Sequence, residues 1–330
     1  MSRLRLTLAC WDYDRVNALA SGLVQPDGID LVFLAQPVEE TFFRMLRHRE
    51  FDLAEMSLSS YSVSLSRPDP PFIAIPVFPS RFFRHASIFV SAKSGIREPK
   101  DLIGKRVGVP EYQMTAPVWI RGILSDEYGV PAESVEYWTG GEESPGRDEK
   151  LKLDLPPQFR LRPIGPTQTL AQMLADGAID ALYTARTPST FRTRPDDVRR
   201  LFPDHVAVER EYFRRTRIFP IMHTLVLRRD VYAANRWIAQ SLYKAFVAAQ
   251  RKTYADLAET AALKAMLPWL NAHLEDTRRE MGEDWWPYGL EQNRHVLETF
   301  LRYHHEQGLS AQRLAVDALF APESLESFVI

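Results

Sequence analysis

At 330 residues the chain is longer than one hydrophobic core usually serves, so two lobes are the default expectation. Its 45% hydrophobic and 25% charged residues are those of a globular protein and exclude a disordered or fibrous one. A net charge of -2, with no basic run interleaved with aromatics, argues against nucleic acid or an anionic membrane surface as partner.

The opening "MSRLRLTLACWDYDRV" reaches Asp12 and Asp14 after a handful of apolar positions, too few for a secretory signal. No run of about 18 apolar residues is present to span a membrane. The single cysteine, Cys10, has no partner for an internal disulfide or a zinc site, which suits a reducing compartment. The expected location is the cytoplasm.

From here strand and helix signals alternate. "LRLTLACW" reads as a strand, "DRVNALASGL" as a helix and "GIDLVFLAQP" as a second strand. "PVEETFFRMLRHREF" has helical spacing, and "FDLAEMSLSSYSVSL" reads as a short buried strand opening into a serine-rich turn and helix. A β-α-β-α order implies a parallel sheet wrapped by helices, with ligands gathering at the carboxyl ends of its strands. In "FPSRFFRHASIFV", residues 78–90, an extended chain would put Arg81, Phe83 and His85 on one face and Arg84 on the other. The bland alternative is a strand end whose arginines reach for water while the phenylalanines fill the core.

The pattern then restarts. "EPKDLIGKRVGVPEY" is a helical turn, a glycine stop and a strand, "TAPVWIRGILSDEYGV" a helix and "SVEYWTG" a strand. Residues 140–158, rich in glycine, proline and mixed charge, read as a solvated loop. "RLRPIG", the helix "TQTLAQMLADG" and the strand "AIDALYTA" follow, then the strand "PIMHTLVLRRDV" and a long helical tail. Apolar crossings at residues 86–92 and 219–228 divide the chain into a discontinuous first lobe, 1–90 plus 225–330, and a second lobe, 91–224. A ligand cleft is expected between them, and the tail's Leu, Trp and Tyr residues could cover a second copy in a homo-oligomer.

This order resembles the type II periplasmic binding protein fold, an α/β architecture of two lobes with an inter-lobe cleft and here a helical C-terminal tail. "EPKDLIGKRVGV", "MLADGAIDAL" and "HTLVLRRDV" carry that likeness. "VFPSRFFRHASIFV", "GVPEYQMTAPVWIRGILSDEYGV", "WTGGEESPGR" and "IDALYTARTP" are similar to the 4,5-dihydroxyphthalate decarboxylase family, over roughly residues 1–228. The resemblance implies a carboxy-lyase acting on a small aromatic dicarboxylate. A solute-binding protein delivering a small anion to an ABC-type transporter is the alternative on the same fold.

For that substrate class, arginine forks suit the carboxylates: Arg81 and Arg186 adjoin strand ends, and Arg84 could serve if the segment turns, leaving one of Arg81 and Arg84 structural. Thr115 as a helix cap, with Pro117 in the first turn, would offer an anion site at a helix start, as would Ser59 and Ser60. Trp11, Tyr112 and Gln113 could line the pocket, and Arg147 could fold over the ligand. Losing carbon dioxide from an aryl acid needs a proton on the ring carbon and no cofactor electron sink. His85 and His223 are the candidate proton carriers, with Arg81 beside His85; each could instead be a core histidine. No metal motif is present: His304 and His305 diverge on a helix, and H-E-x-x-H, phosphate-loop and dinucleotide fingerprints are absent.

Overall fold

Two mixed sheets, each dressed with helices, organise the chain in the computed structural model, which describes residues 3–325. One unit comprises residues 1–81, 223–295 and 315–330, and the other 82–222 and 296–314. Between Arg81 and Phe82, and again between Met222 and His223, the chain passes from one unit to the other. The tail is shared: residues 296–314 pack with the second unit, where the sequence pattern had assigned the whole tail to the first. The reason is close packing. Gly122, inside the helix Thr115–Tyr128, has Tyr303 so near that an added Cβ would lie 2.1 Å from its ring, so these helices meet where no side chain intervenes.

In the first unit, β1 (Leu4–Cys10), β2 (Ile29–Ala35), β3 (Leu53–Ser57), β4 (Phe72–Arg81) and β11 (Ile221–Arg228) form a sheet in the order β2-β1-β3-β11-β4. β1 pairs in parallel with both β2 and β3, while β11 runs antiparallel to β3 and sets His223 opposite Ser57. All five residues of β3 are buried, as expected of a strand covered on both faces. The helix Val38–His48 covers part of this sheet with Phe42 and Met45, and ends on Arg49 in the left-handed conformation.

The second unit holds β5 (Ile88–Ser91), β6 (Arg106–Val109), β7 (Glu136–Thr139), β8 (Arg160–Pro163), β9 (Ala181–Tyr183) and β10 (Val198–Arg200), ordered β10-β5-β9-β6-β7-β8. β9, β6, β7 and β8 are parallel neighbours, and β5 pairs antiparallel with β9. Its core gathers Phe89, Leu182 and Val198 from the sheet with Leu170, Met173 and Leu174 of the helix Leu170–Asp176. Each such side chain contributes roughly 2 kcal/mol on burial.

Residues 140–158 contain no regular element and are exposed at 143–146, 148, 152, 154, 157 and 158, as a solvated loop would be, but four positions turn inward. Gly140, Gly141, Glu142 and Leu151 are buried. Arg147 and Lys150 close on the fully buried Glu111 carboxylate, Arg147 through Nε at 2.9 Å and Nη2 at 2.7 Å. Burial pushes the Glu111 carboxyl up, but the two cations and their hydrogen bonds more than reverse this and hold it below its ordinary value. No helix of the described residues is long and apolar enough to cross a membrane.

Candidate active site

At the carboxyl ends of β1 and β3 in the first unit, four groups converge on one carboxylate. Glu55 has no exposure. It accepts the Trp11 N–H at 3.0 Å, the Tyr13 hydroxyl at 2.7 Å and the Cys10 thiol at 3.5 Å. The His223 Nδ1 lies 2.6 Å from its Oε1. Burial alone would raise the Glu55 carboxyl; the His223 charge, with hydrogen bonds from His223, Tyr13 and Trp11, brings it below the usual carboxylate value. Burial and then the Glu55 charge push Tyr13 up, so it stays a phenol and a donor.

An ionised carboxylate only accepts, so His223 Nδ1 carries a hydrogen and the ring's other nitrogen, Nε2, is the one able to take or give a proton. The Phe42 ring meets the imidazole edge-on at 4.9 Å between centroids, bracing its plane. Its side chain is 16% exposed, so a reactant can reach it. Carboxylate and oriented imidazole have the arrangement of a candidate general acid/base dyad. Sequence reasoning named His223 as a candidate and did not name Glu55. The available signal was a single acid inside "LAEMS", a strand otherwise made of apolar and small residues.

In the second unit, Arg84 is 6% exposed and has no ion-pair partner among the described residues. Its guanidinium touches Met222 Sδ at 3.1 Å, Ser87 Oγ at 3.4 Å and the Ala185 carbonyl at 3.4 Å, and stacks on Phe82. Burial lowers it to about 9 against the field of Glu209, so it keeps its charge at neutral pH. A buried cation held only by weak neutral acceptors is under-compensated. Ala185 follows β9, which places this charge at that strand's carboxyl end.

His85 and Arg81 do not share a face. β4 ends at Arg81 and His85 opens a 3₁₀ turn, His85–Ser87, so the alternation of an extended chain stops before it reaches His85. The ring sits among Phe202, Tyr212 and Tyr128, with centroids 5.2 to 6.3 Å away. Both its nitrogens are buried without a hydrogen-bond partner among the described residues. Burial, helped by the Arg215 charge, lowers it from 6.5 to about 4. A neutral ring in an aromatic cage is a packing residue, not a proton carrier at neutral pH.

That placement has a measurable consequence. Folded His85 titrates near 4 and its unfolded counterpart near 6.5, so its contribution to stability is present above pH 6.5 and is lost as pH falls through about 4. The full difference is on the order of 3 kcal/mol. Urea unfolding at pH 4.5 and 7.5 should therefore show His85→Phe losing less stability on acidification than the parent. Equal losses would contradict the neutral cage.

Arg81 is committed to scaffolding in the first unit. Its Nη2 donates to the Pro287 carbonyl at 2.7 Å and to Asn293 Oδ1, over the Phe78 ring. Thr115 is the first residue of its helix, which has Met114 at the cap position and no side-chain cap, while Pro117 does fall in the first turn. Ser57, not Ser59 or Ser60, caps the helix Leu58–Leu65 by accepting the Ser60 N–H at 3.3 Å; the other two serines are buried in its first turn. Tyr112 is core rather than pocket wall: it has no exposure, its hydroxyl donates to the Gln307 carbonyl at 3.1 Å, and Arg121 lies over its ring. Gln113 donates to Glu111 at 3.0 Å, beside Arg147, which is thus a latch on Glu111 rather than a lid. Arg186 is exposed, and the Trp11 side chain is exposed while its N–H holds Glu55. Among the described residues no group of three or more His, Cys, Asp and Glu could hold a metal ion.

No protein-family model matches the chain. A 4,5-dihydroxyphthalate decarboxylase of Comamonas testosteroni is 45% identical over 330 residues, covering 100% of both chains. A 4,5-dihydroxyphthalate decarboxylase of Pseudomonas putida is 44% identical over 214 residues, 65% of this chain and 83% of that one. Among solved structures, a periplasmic sulfonate-binding protein from Methylobacillus flagellatus superposes with a TM-score of 0.56 at 14% identity, covering 98% of this chain and 93% of that one. The periplasmic aliphatic sulphonate-binding protein of Escherichia coli gives 0.52 at 14% identity, with 97% and 98% covered. The structural likeness establishes a periplasmic-binding-protein-like fold, and the full-length identity establishes kinship, so the chain belongs to the 4,5-dihydroxyphthalate decarboxylase family and is a carboxy-lyase.

Proposed function

We propose that this enzyme decarboxylates 4,5-dihydroxyphthalate, or a close hydroxylated aromatic acid, without a cofactor, and that the His223–Glu55 dyad manages the proton. Expelling carbon dioxide directly would leave an aryl anion, which is too unstable to form unaided. The lower route adds a proton to the ring carbon that bears the carboxylate, while the hydroxyl para to it, as a phenolate, supplies the electrons. The carbon–carbon bond then breaks, its electron pair returns to the ring, and carbon dioxide leaves. One proton is consumed and 3,4-dihydroxybenzoate remains. A general acid or base held in place supplies on the order of a hundred- to ten-thousandfold of such a rate.

The observation that supports this reading most is the 2.6 Å contact between His223 Nδ1 and a fully buried Glu55. A receptor has no use for so oriented an imidazole. Arg84 adds a guanidinium whose charge a carboxylate would complete.

Incubating the purified protein with 4,5-dihydroxyphthalate in deuterium oxide should release carbon dioxide. The 3,4-dihydroxybenzoate formed should carry one deuterium, at the carbon that lost the carboxylate, with the same yield when a chelator is present. Tight binding without turnover would instead mark a solute receptor, and loss of activity to the chelator would overturn cofactor independence.

A further inference from the structure

The loop after β7 carries a carboxyl that the His223–Glu55 dyad does not use. Glu142 is 8% exposed, in a turn so tight that a Cβ on Gly141 would fall 1.7 Å from the Ser144 carbonyl oxygen. Its backbone carbonyl accepts the Ala171 N–H at 3.0 Å, which ties the loop to the helix Leu170–Asp176. Thr184, the residue after β9, contacts Glu142 Oε2 through its hydroxyl at 2.5 Å and accepts the Arg186 N–H at 3.1 Å.

A threonine hydroxyl has one hydrogen, and its acceptor among the described residues is Glu142 Oε2. With the Thr184 hydroxyl as the donor in that pair, a neutral Glu142 carries its own hydrogen on Oε1, a buried atom with no hydrogen-bond partner among the described residues. Four groups bear on this carboxyl besides burial, which dominates. Thr184 pulls it down, the Glu143 charge pushes it up, and Arg186 and Arg147 pull it down, leaving it raised to about 7.

A cation stands next to it along the chain. The Ala185 carbonyl, one residue beyond Thr184, receives Arg84 Nη1 at 3.4 Å, and Ser87 links the two sides by accepting the Thr184 N–H at 3.3 Å and Arg84 Nη1 at 3.4 Å. The carboxyl end of β9 thus presents an unused donor and an under-compensated guanidinium, a combination that suits an anion with two acceptor oxygens.

We propose that Glu142, as a neutral acid, donates Oε1–H to a carboxylate oxygen of a bound aromatic acid, and that with Arg84 it makes the carboxyl end of β9 a carboxylate-reading site. Glu142 is there a positioning residue that recognises the ligand's charge, so the inference rests on, and refines, the decarboxylase reading. Affinity follows from its protonation. A glutamate that ionises can no longer donate and repels the ligand.

The test uses phthalate, which has both carboxylates and no hydroxyl to drive the chemistry. Its Kd for the full chain should be measured by calorimetry from pH 6 to 9, for the parent and for Glu142→Gln. Glutamine keeps an oxygen for Thr184 and an N–H where Oε1–H stood, and it does not titrate. The parent should weaken by about tenfold per pH unit above pH 7, while the variant stays nearly flat and binds more tightly than the parent at pH 9. Other titrating groups are common to both proteins, so the difference between the two profiles is the readout. Parallel profiles, or no phthalate binding by the parent at pH 6, would overturn the proposal.

Thermal unfolding checks the variant itself. A carboxyl raised in the fold contributes stability that is present below its unfolded value of 4.5 and lost as pH rises through about 7, so Glu142→Gln should melt above the parent at pH 9. A parent that turns over 4,5-dihydroxyphthalate but shows a flat phthalate profile would sink the Glu142 assignment alone. The expected profiles without turnover would sink the decarboxylase reading alone.

Discussion

Replacing His223 by alanine is expected to lower kcat a hundred- to ten-thousandfold while KM changes by less than threefold. In the proposed mechanism the side chain carries a proton rather than clamping substrate, because its Nδ1 is occupied by Glu55 and only Nε2 is left to act. Glu55→Gln should lose much of the same activity with the shape preserved. An amide can present its NH2 group to Nδ1, which favours the tautomer with hydrogen on Nε2 and leaves no carboxylate to hold the imidazolium. The two losses should not add, since each disables the same unit. Free imidazole should restore part of the turnover of His223→Ala and none of that of Glu55→Gln. A kcat within threefold of the parent in His223→Ala, with native thermal unfolding, would remove the dyad from the mechanism.

The second large effect is on stability rather than turnover. Arg81→Ala should destabilise the first unit by on the order of 3 kcal/mol and leave the KM of the folded enzyme unchanged. Arg81 is 4% exposed, and its guanidinium ties the end of β4 to the segment around Pro287. Asn293, which it also contacts, donates in turn to Pro287 at 3.0 Å and Gly289 at 2.7 Å. Truncation removes the donor to Asn293 Oδ1 and one of the two donors to the Pro287 carbonyl, and leaves a void beside Phe78. Chemical denaturation with parallel kinetics separates the outcomes: raised KM at unchanged stability would return Arg81 to the ligand.

Arg81, Arg84 and His85 lie within five positions of one another, and they show how far alternation can be read. In an extended chain the pattern gives Arg81 and His85 a common face. The strand stops at Arg81, so the phase is lost one residue later, and Arg84 rather than Arg81 is left without a strong partner. The place of His85 is set by Phe202, Tyr212 and Tyr128, which close around it and are remote in sequence.

The alternation of β and α signals, the expectation of two lobes and the candidacy of His223 came from the sequence alone, since periodicity and residue chemistry are local properties of the chain. Which polar groups meet was decided only by the tertiary structure. Glu55 finds its partners 42 to 45 and 168 positions away, and Glu142 meets Thr184 across 42. The turn into which Gly141 folds buries the start of an otherwise largely exposed loop, Glu142 included. A carboxyl's proton depends on what surrounds it in space, and the order of residues fixes that only after the chain has packed.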